Sequence, residues 1–322
     1  MGTFVRVAMA TFINFKSLKL TESSNKQKTV FKHKKKAFLV ALELLVVGLF
    51  LLALGSPYNK KLVNFFLFHP SKDMVIEPAK IAGYKTDYGA EVLQMKFVSK
   101  NGKKLHAWYI KVPDSETTYL VSHGNAGNLT YRYHVFDVLL ASGGSVFIYD
   151  YQGYGLSEGD SDDLTIIDDG VSAYDFMVSN LKIPKDQIIG YGESLGCAVT
   201  TKIMEKRPLK AVILQSPFAT LVGAAKDKIH WTRLYPDWMF SQNHLNNVDA
   251  YRKKHPPLLL IHGDTDWVLK SNYSRHIFKQ AIEPKDIFII PNLGHNNLYI
   301  QNDNKAVIEK IANFRKSVSK GI

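Results

Sequence analysis

From residue 91 onward, apolar residues alternate between a two-residue rhythm and a helical one. Residues 91–98 and 104–112 read as strands, with Asn101-Gly102 in the tight turn joining them. Strand and helix then alternate: strand 119–122, helix 131–140 closed by Gly143-Gly144, strand 146–149, helix 165–178, strand 186–191 and helix 197–206. Strands at 211–214, 258–261 and 287–290 follow, and helix 305–318 carries Val307, Ile311, Phe314 and Val318 on one face. Fully apolar strands between amphipathic helices predict an α/β fold with a mostly parallel central sheet and helices on both faces. Such sheets place their sites at the carboxyl ends of strands.

The candidate chemistry falls at those ends. Gly192-Glu193-Ser194-Leu195-Gly196 joins strand 186–191 to helix 197–206. A serine between two glycines on a strand-to-helix turn is the pattern of a nucleophile elbow. The turn needs a sparsely populated backbone conformation, and side chains at Gly192 or Gly196 would clash. A serine hydroxyl is a poor nucleophile at neutral pH, so it needs a base, and the base needs an orienting acid. His262-Gly263-Asp264-Thr265-Asp266 follows strand 258–261 and offers Asp266 or Asp264 as the acid. Gly294-His295-Asn296 follows the last strand and offers His295 as the base. The oxyanion hole is expected to pair the Leu195 amide with one from His123-Gly124-Asn125-Ala126-Gly127-Asn128. Asn125 is the assigned donor, with Ala126 the neighbouring alternative; His123 is read as holding the loop.

Those residues, with the 150–157 run Asp-Tyr-Gln-Gly-Tyr-Gly-Leu-Ser, Ser216-Pro217-Phe218 and the His262–Val268 run, carry a resemblance. The chain resembles α/β-hydrolase-fold serine hydrolases, near the membrane-anchored bud-emergence and ABHD-type branch, over residues 65–318. The resemblance places the acid at Asp266 rather than Asp264. It departs at Gln152, where the family usually has arginine. The activity it implies is hydrolysis of carboxylic esters or thioesters through Ser194, His295 and Asp266 and an acyl-enzyme, without a cofactor. It also raises protein depalmitoylation and peptidase activity. A non-catalytic binding protein on the same fold is the alternative of another class.

Residues 221–257 are expected to form a small helical cap, with His230, Trp231, Tyr235, Trp238, Met239 and Phe240 giving it an aromatic underside. Asp160, Asp162, Asp163, Asp168 and Asp169 lack the glycine and spacing of a calcium loop and read as capping and solvating a helix start. No metal-ligand spacing stands out in the sequence. Cys197, the one cysteine, excludes an intrachain disulfide and reads as a packing residue under the elbow.

Charge changes the picture only at the amino end. Of a net charge of +12 over 322 residues, most lies before residue 37, where nine Lys and Arg face Glu22 alone. The remainder is near balance, against a nucleic-acid-binding body. Residues 37–55 are apolar apart from Glu43 and as a helix would reach about 28 Å, one hydrocarbon core. The expected organisation is a basic cytoplasmic tail at 1–36, an N-terminal transmembrane helix at 37–55, a linker at 56–64 and the hydrolase domain at 65–322. Lys32, Lys34, Lys35 and Lys36 precede the span, so the body is expected to be exported, acting on a small acyl or lipid-like substrate at a membrane. An uncleaved anchor is favoured over a signal peptide cut near Ala53-Leu54-Gly55. Arg6 stands where a myristoylation site beginning at Gly2 needs Ser or Thr.

Overall fold

The computed structural model describes residues 32–48, 52–53, 55–240, 245–297, 299 and 304–319. The chain divides into two units, Met1–Ser56 and Pro57–Ile322. In the first, residues 32–48 are helical. No helix among the described residues is long and apolar enough to cross a membrane. Residues 49–51 and 54 of the expected 37–55 span lie outside the described residues, as does the basic tail up to residue 31. The transmembrane helix is therefore not among the observed elements.

The second unit opens with helix α1 (Lys60–Leu67), covering residues expected to be linker, then strand β1 (His69–Pro70) and helix α2 (Pro78–Tyr88). Strands β2 (Glu91–Val98), β3 (Lys104–Lys111), β4 (Thr118–Ser122) and the short β5 (Ala126–Gly127) follow. Helix α3 (Tyr133–Ala141), strand β6 (Ser145–Tyr149), helix α4 (Thr165–Ser179), strand β7 (Ile188–Glu193) and helix α5 (Leu195–Lys206) come next. Strand β8 (Ala211–Gln215) leads to helices α6 (Leu221–Lys228) and α7 (Val248–Tyr251). Strand β9 (Leu258–Gly263), helix α8 (Asn272–Gln280), strand β10 (Lys285–Ile290) and helix α9 (Lys305–Ser319) complete the unit.

Eight strands form one sheet in the order β10-β9-β8-β7-β4-β6-β3-β2. Only the β2–β3 and β3–β6 pairings are antiparallel, so the sheet is mostly parallel, as the apolar runs predicted. Leu258, Leu259, Leu260 and Ile261 show why: every position is buried, because both faces of β9 are covered. One face packs against Ile166, Met177, Val199 and Ile203 of α4 and α5. The other packs against Val135, Leu139, Ile311 and Phe314 of α3 and α9.

Two helices carry no expectation from the sequence pattern. Pro78 sits in the first turn of α2, and Gly89 closes that helix with φ 63°, its N–H reaching the Lys85 and Tyr84 carbonyls. In α8 only Ser274 and Ile277 are buried.

The segment 221–257 is a small cap of α6, turns at His230–Leu234 and Asp237–Met239, and α7, with residues 241–244 outside the described set. Its aromatic side chains do not form a common underside. Tyr235 and Phe240 are buried with Val222 in a small cluster of their own, whereas Trp231 and Trp238 are exposed. One-turn 3₁₀ segments present no helical stripe, so nothing forces their large residues to one side.

The acidic cluster also departs from its expected role. Asp162 Oδ1 does accept the Leu164 and Thr165 N–H groups at 2.9 and 2.7 Å, capping α4. Asp169 instead is buried, accepting from the Gln152 backbone and side chain, both at 2.8 Å, and from Ser99 at 2.6 Å. With glutamine rather than arginine at 152, no cation faces it, and burial pushes its carboxyl up to about 6.

Candidate active site

Ser194 stands between β7 and α5 with φ 53° and ψ −112°, a conformation costing about 1–3 kcal/mol for a residue with a Cβ. The neighbouring glycines permit it. A Cβ on Gly192 would lie 2.6 Å from the Cys197 Cα, and one on Gly196 would overlap the Ser122 carbonyl. Both obstacles are backbone and cannot swing aside. Cys197 lies beneath, its thiol 3.2 Å from both the Gly192 and Gln215 carbonyls, and burial raises its pKa far above the ordinary value.

The structure brings Ser194, His295 and Asp266 together. His295 Nε2 lies 3.1 Å from Ser194 Oγ, and His295 Nδ1 lies 2.7 Å from Asp266 Oδ2. An ionised carboxylate only accepts, so the proton belongs on Nδ1 and Nε2 is left to accept from the hydroxyl. Asp266 is itself over-determined: its Oδ1 accepts the Val268 and Leu269 N–H groups at 2.9 and 2.8 Å. Burial alone would raise its pKa. Hydrogen bonds from His262 and His295, with the Leu269 N–H, outweigh that and hold the carboxyl well below the usual range. Asp264, the other carboxylate of that run, is exposed and accepts the Asn292 N–H at 2.7 Å, away from His295.

His262 is a positioning residue that the sequence reading quoted in its motif without a role. Its Nε2 lies 2.8 Å from the Leu269 carbonyl, which can only accept, so Nε2 carries the proton and Nδ1 accepts from Ser274 at 2.7 Å. The same Nε2–H faces Asp266 Oδ2 at 3.2 Å.

The backbone N–H groups of Asn125 and Leu195 donate to no protein group among the described residues. Asn125 is held from three sides. Its carbonyl accepts from the His69 N–H at 2.9 Å and the Tyr154 hydroxyl at 2.7 Å, and its side-chain amide donates to the Leu67 carbonyl at 3.1 Å. His123 holds the start of this loop through Nδ1, 2.7 Å from the Gly124 carbonyl. Ala126 lies in the short parallel pair β1–β5.

A second pair escaped the sequence reading. Glu193, within the elbow, accepts from Arg132 Nε at 2.6 Å and from the Gly124 N–H at 3.1 Å. Arg132 also donates to the Ala126 carbonyl at 2.7 Å. Burial would raise the Glu193 pKa, but Arg132 foremost, then His134, the Gly124 N–H and His123, lower it overall. The pair thus fastens the 124–126 loop to the serine turn. Burial pushes the His134 imidazole nearby below its ordinary value. A cleft of about 220 Å³ opens over Ser194 and His295, bordered by Asn125, Arg132, Glu193 and Tyr299.

Comparison with known proteins bears on the fold and the family. The family model for serine aminopeptidase, S33 (Hydrolase_4), matches residues 113–251, which include Ser194 and the 123–128 loop but end before Asp266 and His295. An uncharacterised Mycobacterium tuberculosis protein, MT2364, is 30% identical over 220 residues, 67% of this chain and 76% of its own length. The uncharacterised Escherichia coli O157:H7 protein YfhR is 27% identical over 261 residues, covering 78% and 86%. Among solved structures, the Pyrococcus furiosus esterase Pf2001 superposes with a TM-score of 0.62 at 19% identity, over 78% of this chain and 98% of that one.

Proposed function

Because the chain belongs to the α/β-hydrolase family, we propose that this hydrolase is a serine esterase acting on small acyl esters or thioesters. The observation that carries the reading is the unbroken run from Ser194 Oγ through His295 to Asp266, beside two undonated amides. Ser194 attacks the acyl carbonyl while His295 Nε2 takes the hydroxyl proton and passes it to the leaving alkoxide or thiolate. Asp266 keeps the imidazole in the tautomer that can accept, and stabilises the imidazolium. The Leu195 and Asn125 N–H groups receive the oxyanion, with the amino end of α5 behind them. Water repeats the cycle on the acyl-enzyme.

The cleft supports a short acyl group: about 220 Å³ is below the ~300–1,000 Å³ of sites that engulf drug-sized ligands. The name of the matched peptidase family carries less weight here. An aminopeptidase must neutralise a substrate ammonium, and Glu193, the one carboxylate among the described cleft-lining residues, is already engaged by Arg132. The basic residues at 32–36 and the apolar stretch 37–55 support a tethered enzyme with its amino end cytoplasmic, which protease digestion of sealed vesicles checks.

Ser194→Ala tests the chemistry. Turnover of p-nitrophenyl acetate and labelling by a fluorophosphonate are expected to vanish while the circular dichroism spectrum is unchanged. Retained turnover in the folded variant would refute the assignment.

A further inference from the structure

Phe65, Phe66, Trp231, Leu234, Trp238 and Trp267 are 42–77% exposed, a concentration of large apolar side chains in water that calls for a partner. They lie on three segments that touch one another. The rings of Phe66 on α1 and Trp231 in the cap are 6.0 Å apart, edge to face. Lys228, at the end of α6, donates to the Trp267 carbonyl and holds its ammonium 5.4 Å from that indole. Arg233 Nε donates to the Lys226 carbonyl at 2.7 Å, tying the turn that bears Leu234 to α6.

This surface borders the serine cleft on two sides. Leu67, next to Phe66, is bonded to the Asn125 side chain, and Trp267 directly follows Asp266. Its charge is basic: Lys60, Lys61, Lys226, Lys228, Arg233 and Lys270 against Asp227, Asp237 and Asp264. Lys226 pairs with Asp237, and Lys270 with Asp227, which the Arg233 charge also reaches, whereas Lys60, Lys61 and Lys228 pair with no carboxylate among the described residues.

We propose that this aromatic, basic rim lies against an anionic bilayer surface, with its indole and phenyl rings at headgroup depth and the Ser194 cleft opening beside the lipid. Trp and Phe interleaved with lysine is the composition of an interfacial contact. The bilayer is also close in sequence: the apolar stretch 37–55 ends five residues before α1 begins. The proposal rests on the tethered reading for that proximity and on the esterase reading only for what the docking serves.

The tryptophans make the test direct. Of the four, Trp108 is fully buried and the other three are on the rim. The full chain is mixed with phosphatidylcholine–phosphatidylserine vesicles whose acyl chains carry bromine, and tryptophan emission is compared with that on unbrominated vesicles. Emission is expected to fall about twofold, because most of it comes from rings at the lipid boundary. Replacing Phe65→Ser and Leu234→Ser together, which keeps all four tryptophans as reporters, is expected to remove most of the quenching. In that variant, turnover of an ester embedded in the vesicles falls about tenfold while p-nitrophenyl acetate hydrolysis stays within about twofold. Protein that pellets with the vesicles yet is not quenched overturns the proposal, leaving a tether with no docking face. Equal quenching on pure phosphatidylcholine overturns its anionic component. Emission that responds to protein concentration and not to vesicles assigns the rim to a second copy, and overturns it too. Quenching is read without catalysis, so a failed esterase reading leaves this outcome separately legible.

Discussion

Replacing Asp266 by asparagine probes the site through a single oxygen. Asp266 Oδ1 accepts two backbone N–H groups, from Val268 and Leu269, so the amide oxygen must take that position. The amide NH₂ is then placed at the Oδ2 position, 2.7 Å from His295 Nδ1 and 3.2 Å from the His262 Nε2–H. As a donor it forces His295 Nδ1 to accept, moving the imidazole proton to Nε2, where it faces Ser194 Oγ at 3.1 Å. The base can no longer accept the hydroxyl proton. The expected loss is about 10⁴-fold in kcat, or about 5.5 kcal/mol of barrier, with KM changed only a few-fold. Stability is expected to fall by only about 1–2 kcal/mol, because the His262 Nε2–H that meets the new NH₂ keeps the Leu269 carbonyl as its partner. Steady-state p-nitrophenyl acetate hydrolysis and urea unfolding measure the two quantities on one preparation. Asp264→Asn, the neighbouring carboxylate, is expected to stay within about twofold of the parent rate. A loss under about tenfold in Asp266→Asn, or an equal loss in Asp264→Asn, would refute the tautomer argument.

Asp169 should show in the pH dependence of stability. Its carboxyl is raised to about 6 in the folded chain, so its contribution is fully present below about pH 4 and is lost as pH rises through about 6. A shift of roughly two units corresponds to about 3 kcal/mol; urea midpoints at pH 4.5 and 7 are expected to diverge less in Asp169→Asn than in the parent. Asp266, held low, contributes in the opposite sense, losing its stabilisation only as pH falls below about 4, so the two windows do not overlap. Arg132→Met strands the Glu193 carboxylate and is expected to cost about 3 kcal/mol, with Glu193→Gln in the same chain recovering part of it. An Arg132→Met protein with an unchanged urea midpoint would show that the pair contributes nothing to the fold.

Strands β4, β6, β8 and β9 were legible because burial on both faces favours a run of apolar residues, and β2 because its apolar residues recur in a two-residue rhythm. The elbow was legible because its strained serine demands glycine on both sides. Helix α2 announces itself only by Pro78 and Gly89, since it buries Tyr84 alone and has no apolar stripe. Helix α8 has only three apolar residues in nine, Tyr273, Ile277 and Phe278, too short a stripe to stand out in the sequence. The Arg132–Glu193 pair joins residues 61 positions apart, a distance across which neither spacing nor periodicity carries information. Which cap aromatics turn inward is likewise not written in a local rhythm: Tyr235 and Phe240 are buried with Val222, while Trp231 meets Phe66 on the surface.

The clamp on Asn125 shifts where this enzyme begins. Leu67 and His69 hold the Asn125 peptide, the oxyanion donor in the proposed mechanism, yet they lie far upstream of the first long strand and of residue 113. Shortening the chain past Pro70 would spare every side chain that handles a proton. Such a protein could still be captured by a phosphonate at Ser194 and yet turn over esters slowly, a nucleophile without its receptor for charge.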